Sequence, residues 1–587
     1  MGMTGNRPAI IQSDRTILLE VDSPQYPTAR DSLARFAELE KSPEYVHTYR
    51  ITPLSLWNAA AADLDATTIL TDLAALSKYP VPENVQRDII EYVSRYGRVR
   101  LQRQNEDILL EVDDSALAAE LLRSKRLQPY ILDRVTPFRL RIDPSRRGHV
   151  KQALVLMGYP ALDLAGYVPG SPLSLALRTT TRTGEPFQPR HYQTDAADSF
   201  YAQGTAYGGS GVIVLPCGAG KTIVGIAVMN YVQCATLILT TNTVAARQWI
   251  AELLDKTTLT EELIGEYSGL RKQVRPVTIA TYQIMVHRSR QNGSGDSGAE
   301  YPHLSLFSDQ DWGLVIYDEV HMLPAPVFRI TAEIQARRRL GLTATLVRED
   351  GRETDVFSLI GPKKYDAPWK ALERQGWIAT AQCHEIRVAL PDELRLSYAL
   401  ADDHDKYRIA AENPGKMRVL DQLLQKHSDD AVLIIGMYLD QLREVSARYG
   451  FPLVTGDTDV ARREELYEAF RLGKVGCLVV SKVANFAIDL PDASVAMQLS
   501  GTFGSRQEEA QRLGRILRPK RQGAQAHFYT LVSRDTKDQD YAANRQRFLT
   551  EQGYHYDIIY EEEVAAWQPV KGEIHSPEMT GMDMVQL

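Results

Sequence analysis

Cysteine is scarce in this chain. Cys217, Cys234, Cys383 and Cys477 are spread over 587 residues, and no two of them form a CxxC pair. A disulfide framework, a zinc ribbon and an iron–sulfur cluster are thereby excluded, and a reducing cytoplasm is the expected compartment. Long apolar runs are lacking as well: none approaches the roughly 18 residues of a membrane span, so no membrane association is expected. The opening residues, MGMTGNRPAIIQSDRT, have neither the basic nor the apolar region of a secretory signal, and Asn6 stands where myristoylation needs Ser or Thr. An excess of positive charge is missing too. With 67 Lys and Arg against 75 Asp and Glu, the net charge is −8, which rules out nucleic-acid binding through bulk attraction. Such a partner would need local surfaces made of chosen side chains and backbone amides.

A chain of this length is too long for one core and implies three or four domains. Residues 1–165 mix strand-like runs such as TILLEV (16–21), ILLEV (108–112) and FRLRI (138–142) with amphipathic helical ones such as SLWNAAAADLD and VQRDIIEYVSRYG. No catalytic constellation is found there. The Gly-, Pro- and hydroxyl-rich residues 166–184 read as a linker. From 185 to 375 short apolar strands alternate with helices, as in GVIVLP, TLILTT, VTIAT, LVIYDE and LGLTAT, and the rhythm restarts over 376–550 with VLIIG, CLVVSK, VAMQL and HFYTLV. Uninterrupted apolar strands alternating with helices are what doubly covered parallel sheets require, so the fold class is α/β, with two such domains in tandem behind a mixed α+β region. RQNGSGDSGAE (290–300) reads as a flexible insertion, and residues 551–587 as an acidic, irregular tail.

LPCGAGKT (215–222) follows an apolar strand and opens a helix, the context of a phosphate-binding loop. Gly218 and Gly220 would let backbone N–H groups approach phosphate oxygens at a helix amino terminus. Lys221 would carry positive charge to the β/γ-phosphates, and the Thr222 hydroxyl would help hold Mg²⁺. Leu215 stands where the strict pattern has its first glycine. LVIYDEVH (314–321) delivers two carboxylates to the carboxyl edge of a parallel sheet. Asp318 would face Mg²⁺ and Glu319 would orient or deprotonate the attacking water, with His321 a hydrogen-bond relay. In SRQEEAQRLGRILR (505–518), Gln511, Arg512, Arg515 and Arg518 share or neighbour one helical face. That face reads either as solvated or as the source of the cation that phosphoryl transfer needs, the latter being Arg515 and Arg518.

Taken in order, GAGKT, TNTVAARQW, ATYQ, DEVH, TAT and QRLGRILR resemble the motifs of superfamily 2 helicases. The fuller strings VLPCGAGKT, YDEVHMLPAPVFR, GLTATLVRED, SLIGPKKYDAPWKALERQGWIA, SKVANFAIDLP and EEAQRLGRILRPK resemble the xeroderma pigmentosum group B (XPB) family, bacterial branch. So do the amino-terminal QSDRTILLEVD and EKSPEYVHTYRITPLSLWNAAA. The resemblance covers roughly 8–550. It implies two RecA-like motor domains with a DEVH box, ATP and Mg²⁺ as cofactors, and DNA, single-stranded or as a forked or partial duplex, as the partner. It also implies 3′–5′ movement, a role in DNA repair and association with the nucleoid of a prokaryotic cell. Arg190 and Gln193 of RHYQ would then read adenine, with Gln511 and Asp489 near the nucleotide. Ser481 and Lys482 would lie near it or the DNA, and Thr343 and Thr345 would couple the ATP site to the DNA path. Arg348, Glu349 and Asp350 would be the triplet associated with duplex opening, although an ordinary charged turn is the alternative. Thr241, Asn242, Thr243, Arg247, Thr281 and Tyr282 would contact the strand backbone, and residues 1–165 would bind DNA or a partner. Arg337, Arg338 and Arg339 read as a solvated helix end or a DNA-facing cluster. Only about 22 residues, 391–412, precede NPGK, so a long helical thumb is expected to be absent or reduced. No nuclease carboxylate set is present, so cutting would require a nuclease or other repair protein as partner. Two other readings stand beside the helicase: a duplex translocase that separates no strands, and a scaffold gated by ATP.

Overall fold

The computed structural model describes residues 7–43, 45–287, 301–346, 351–375, 377–481, 493–501, 509, 512, 513 and 525–568. The 290–300 insertion, Arg348, Glu349, Asp350, Lys482, Asp489, Gln511, Arg515 and Arg518 lie outside the described residues. The chain divides into two compact units, one of Met1–Leu215 with Gly220–Ala367 and one of Pro216–Ala219 with Pro368–Leu587.

The first unit opens with a four-stranded antiparallel sheet of β1 (Ala9–Ile11), β2 (Thr16–Glu20), β3 (Glu38–Lys41) and β4 (Val46–Arg50), ordered β1-β2-β4-β3. β2 buries Ile17 and Leu19 on one face, where they meet Leu56, Ile69 and Val85 of three following helices. The first of those, Pro53–Ala61, starts on a reciprocal cap between Thr52 and Ser55. A second, five-stranded sheet follows: β5 (Val99–Gln104), β6 (Asp107–Val112), β7 (Ile131–Thr136), β8 (Arg139–Ile142) and β9 (Ala161–Leu164), ordered β7-β8-β6-β5-β9. The amino-terminal region is therefore two sheets, each with its own core.

Its helix Arg147–Leu156 is the seam with what comes next. Gly148 lies so close to the following domain that a Cβ there would stand 2.3 Å from the Ala332 carbonyl oxygen. Lys151 Nζ donates to Gln335 Oε1 at 2.8 Å, Gln152 Nε2 to Asp355 Oδ1 at 3.0 Å, and Trp57, Val155 and Phe357 share an apolar cluster. Beneath them the buried Asp163 carboxylate accepts from Arg147 at 2.6 Å and faces Lys151 at 3.2 Å. The 166–184 stretch is no free tether: Pro172 bridges to Cys234 and Leu177 to Thr257.

The remainder of the first unit is an all-parallel sheet of β10 (Ser210–Val214), β11 (Thr236–Thr240), β12 (Ile264–Tyr267), β13 (Val277–Thr281), β14 (Leu314–Asp318), β15 (Arg338–Thr343) and β16 (Lys363–Asp366), ordered β12-β13-β11-β14-β15-β10-β16. Arg337, Arg338 and Arg339 are not a solvated helix end, and Arg339 faces no surface. They lead into β15, where Arg339 is fully buried and donates to the Leu359 and Gln335 carbonyls, because strand pairing carries that position into the core.

The second unit holds β17 (Ala381–Val388), β18 (Val432–Gly436), β19 (Leu453–Val454), β20 (Cys477–Ser481), β21 (Val495–Gln498), β22 (Ala526–Ser533) and β23 (Tyr556–Tyr560), ordered β19-β20-β18-β21-β22-β17-β23. Counted from its own first strand, each motor sheet has the same order, 3-4-2-5-6-1-7. The seventh strand here, β23, pairs with β17 beyond residue 550, so the chain from 551 does not leave the fold as an irregular tail. Two short helices, Asp392–Leu400 and Asp403–Ala411, occupy the segment between β17 and Gly415. Lys416 and Asp538 form a fully buried ion pair at 2.8 Å under this sheet.

Candidate active site

Three strand ends of the first parallel sheet converge on the site. β10 runs into the loop that carries Gly218 and Gly220, both with φ of +81°, a region that glycine enters without a Cβ penalty. The helix Lys221–Val232 starts directly after it and is apolar on all sides, which buries it against the sheet. A Cβ on Gly220 would meet Gln193 Nε2 at 2.3 Å, so the missing side chain is what admits the Gln193 amide beside the loop. Gln193 is buried in the helix His191–Tyr201 and accepts from the Arg190 backbone at 2.8 Å, while the Arg190 guanidinium donates to the Tyr192 hydroxyl at 3.1 Å.

β14 ends on Asp318, and Glu319 follows in the left-handed region (φ 51°, ψ 56°) before the turn Val320–Met322. A non-glycine residue there stores roughly 1–3 kcal/mol, a strain that clusters at functional sites. The turn aims Glu319 at the phosphate loop: its Oε1 lies 3.3 Å from Lys221 Nζ. Glu319 Oε2 lies 3.4 Å from His321 Nδ1 and accepts no hydrogen bond among the described residues. The two carboxyls are driven apart in acidity. Burial, and then the neighbouring Glu319 charge, push Asp318 up to about 6. Burial acts on Glu319 as well, but Lys221 and His321 outweigh it and hold Glu319 below the ordinary range.

β15 ends on Thr343, which is fully buried. Its hydroxyl donates to the Thr345 carbonyl at 2.6 Å, and its oxygen accepts from the Thr345 N–H at 3.1 Å. The remaining lone pair faces His321 Nδ1 at 2.7 Å, which assigns the ring proton to Nδ1. Glu319, His321, Thr343 and Thr345 thus form a row of polar groups from the phosphate loop to the end of β15.

Behind these, Trp249 Nε1 donates to Asp318 Oδ2 at 2.9 Å and the Tyr282 hydroxyl donates to the Asp318 carbonyl at 2.9 Å. Neither role is signalled by the sequence. Thr281 and Tyr282 were expected to contact a DNA strand, but both are buried. Thr281 Oγ1 accepts from the Ile284 N–H at 3.4 Å to start a short helix, and Tyr282 is turned to Asp318, since β13 ends inside the domain. Thr241, Asn242 and Thr243 remain partly exposed at the start of the helix Thr243–Lys256. Asn242 Oδ1 caps that helix through the Val244 and Ala245 amides at 2.9 and 3.0 Å, and its Nδ2 donates to Thr241 Oγ1 at 3.0 Å. Arg247 projects from the same helix, 3.9 Å from Glu266. In the second unit Ser481 is buried at the end of β20, and Arg512 donates to Gln498 Oε1 at 2.5 Å. The residues present fit ATP and Mg²⁺: two neighbouring carboxylates share one lysine, a charge imbalance that a divalent cation would meet, and the glycine loop leaves room for phosphate.

Duplicated parallel sheets of one strand order, the first ending in a phosphate loop and an Asp-Glu turn, place the chain among nucleoside-triphosphate-driven motors with two RecA-like domains. The family described as ERCC3/RAD25/XPB C-terminal helicase matches residues 372–580. That described as type III restriction enzyme, res subunit, matches 186–348, and a helicase conserved C-terminal domain matches 9–136. The chain is 54% identical to the DNA 3′-5′ helicase XPB of Kineococcus radiotolerans, over 96% of this chain and 98% of that one. It is 55% identical to the protein of the same name from Mycobacterium tuberculosis, over 94% and 97%. A general transcription and DNA repair factor IIH helicase/translocase subunit XPB from Enterocytozoon bieneusi is 32% identical over 94% and 92%. The chain belongs to the XPB family of DNA 3′-5′ helicases.

Proposed function

We propose that this chain hydrolyses ATP to move 3′ to 5′ along DNA and open duplex, in the service of DNA repair. The observation that carries the reading is the row of polar groups Lys221–Glu319–His321–Thr343–Thr345, which leads from a phosphate-loop lysine to the end of β15 through contacts of 3.3, 3.4, 2.7 and 2.6 Å.

Gly218, Gly220, Lys221 and Thr222 would hold the phosphates, Arg190 and Gln193 the adenine, and Thr222 with Asp318 the Mg²⁺. Mg²⁺ supplies charge neutralisation at phosphate oxygens when bound. Lys221, which pairs with Glu319 at 3.3 Å, would turn to phosphate when ATP binds. Glu319, held ionised, then orients water and accepts its proton. His321 keeps its Nδ1 proton on Thr343, so a change at Glu319 is passed to the segment leading to Arg348, Glu349 and Asp350, the proposed duplex-opening triplet. Arg515, Arg518 and Gln511 of the second motor domain, with Asp489, would complete the nucleotide site. Thr241, Asn242 and Arg247, with Ser481 and Lys482, would hold the DNA backbone. Residues 1–165 would bind DNA or a partner such as a nuclease. Among the described residues no helix is long and apolar enough to cross a membrane.

ATP turnover measured with and without single-stranded DNA tests this. Stimulation in the wild type, lost in Lys221→Ala, is expected. Stimulation by RNA and not by DNA, or turnover indifferent to both, would contradict it.

A further inference from the structure

Asp318 is held from two sides by groups outside the phosphate loop. Trp249 Nε1 donates to its carboxylate at 2.9 Å, and the Tyr282 hydroxyl donates to its backbone carbonyl at the same distance. Each donor belongs to an element that starts at the carboxyl edge of the sheet. Trp249 lies in the helix that Asn242 caps, six residues beyond Thr243 and so about 9 Å along the axis. Tyr282 directly follows Thr281 at the end of β13. The indole is also wedged from behind. Gly225, inside the helix that begins with Lys221, approaches so closely that a Cβ there would stand 2.5 Å from Trp249 Cη2. Glycine inside a helix costs roughly 1 kcal/mol relative to alanine, and here it is what admits the ring.

We infer that Trp249 and Tyr282 are positioning residues that carry strand contact at Thr241–Asn242 to Asp318, a second coupling route beside the His321–Thr343 relay. A phosphate seated at the Asn242 cap shifts or stiffens the Thr243–Lys256 helix as one body. Trp249, clamped between Gly225 and Asp318, transmits that change to the carboxylate with a single hydrogen bond. Tyr282 fixes the backbone of the same residue, so the carboxylate turns about a held carbonyl. The inference rests on the reading of Asp318 as the metal-facing carboxylate and of Thr241–Asn242 as strand contacts.

Trp249→Phe keeps a ring and removes only the donor; Tyr282→Phe removes one hydroxyl. In each full-length variant, basal and DNA-stimulated turnover, the KM for ATP and the melting temperature are measured beside wild type. The expected result is a fall in DNA-stimulated kcat, roughly tenfold for Trp249→Phe, where the acceptor is charged, and roughly threefold for Tyr282→Phe. Basal turnover, which the same hydrogen bonds to Asp318 also serve, falls by a smaller factor, so the ratio of stimulated to basal turnover drops. Basal and stimulated turnover falling in the same proportion would mean a packing role and overturn the inference, as would stimulation kept in both variants. A wild type that DNA does not stimulate would instead overturn the functional reading beneath it.

Discussion

Glu319→Gln should separate ATP binding from ATP turnover in opposite directions. Glu319 Oε1 stands 3.3 Å from Lys221 Nζ, with 17% and 12% of the two side chains exposed. At that separation, and an effective dielectric of about 20, the gross attraction is about 5 kcal/mol. Most of it is offset by desolvation and by water that would otherwise solvate the two ions. If about 1.4 kcal/mol remains as net coupling, incoming phosphate must compete against it, which weakens binding about tenfold. Glutamine keeps the volume of Glu319 and removes the competing charge, so ATP affinity should rise about tenfold. The same change abolishes the carboxylate that accepts the proton of water, which should lower kcat by about 10² to 10⁴. Equilibrium titration with a fluorescent ATP analogue and steady-state hydrolysis with DNA read the two effects separately. Unchanged affinity would refute the pairing as a determinant of binding, and near-wild-type turnover would refute Glu319 as the base.

Other outcomes follow from the same geometry. Thr343→Val removes the hydroxyl that serves His321 and both backbone groups of Thr345. It should reduce strand displacement more than DNA-stimulated hydrolysis, and an equal loss of both would count against a relay. Asp163→Asn leaves the buried Arg147 and Lys151 charges uncompensated and should cost about 3–5 kcal/mol of stability in denaturant unfolding. Burial would raise the Asp163 pKa, yet Arg147 and Lys151 hold it well below the ordinary value. A folded-state pKa below the unfolded one gives stability that is complete above the unfolded value and lost as pH falls towards the folded one. Wild-type stability should therefore decline below about pH 4 by more than that of Asp163→Asn; parallel profiles would exclude the linkage. Gly148→Val, whose Cβ would clash with the Ala332 carbonyl, should loosen the amino-terminal region from the first motor domain. Faster limited proteolysis near 166–184 would report this, and an unchanged digestion pattern would contradict it.

The motor strands were readable because a parallel sheet covered on both faces makes every position apolar: β11 and β18 are buried at all five residues. The edge strands β16 and β23 were not. KKYD and YDIIY carry charge and lack a fully buried run, since one side of an edge strand meets solvent, and so the second read as the start of a tail. Glycines, Lys221 and the Asp-Glu turn were legible because phosphate and metal chemistry fixes residue type and order along a short stretch. Trp249 and Asp318 stand 69 residues apart, and neither position carries a local signal that a helix will fold one onto the other. Arginines 337–339 misled for a related reason: a charged triplet reads as surface, whereas strand pairing and carbonyl acceptors allow Arg339 inside. The division of residues 8–165 into two sheets was hidden by strands too short and too evenly mixed to mark a boundary.

The central claim is a motor that opens duplex DNA with 3′–5′ polarity. The direct test is displacement of a labelled strand from a partial duplex with a 3′ tail, beside its 5′-tailed twin, with ATP and Mg²⁺ and with Lys221→Ala as the blank. Displacement of the 3′-tailed substrate alone, absent in Lys221→Ala, is the result predicted. Hydrolysis stimulated by DNA with neither substrate displaced, or displacement from the 5′ tail, would contradict the account.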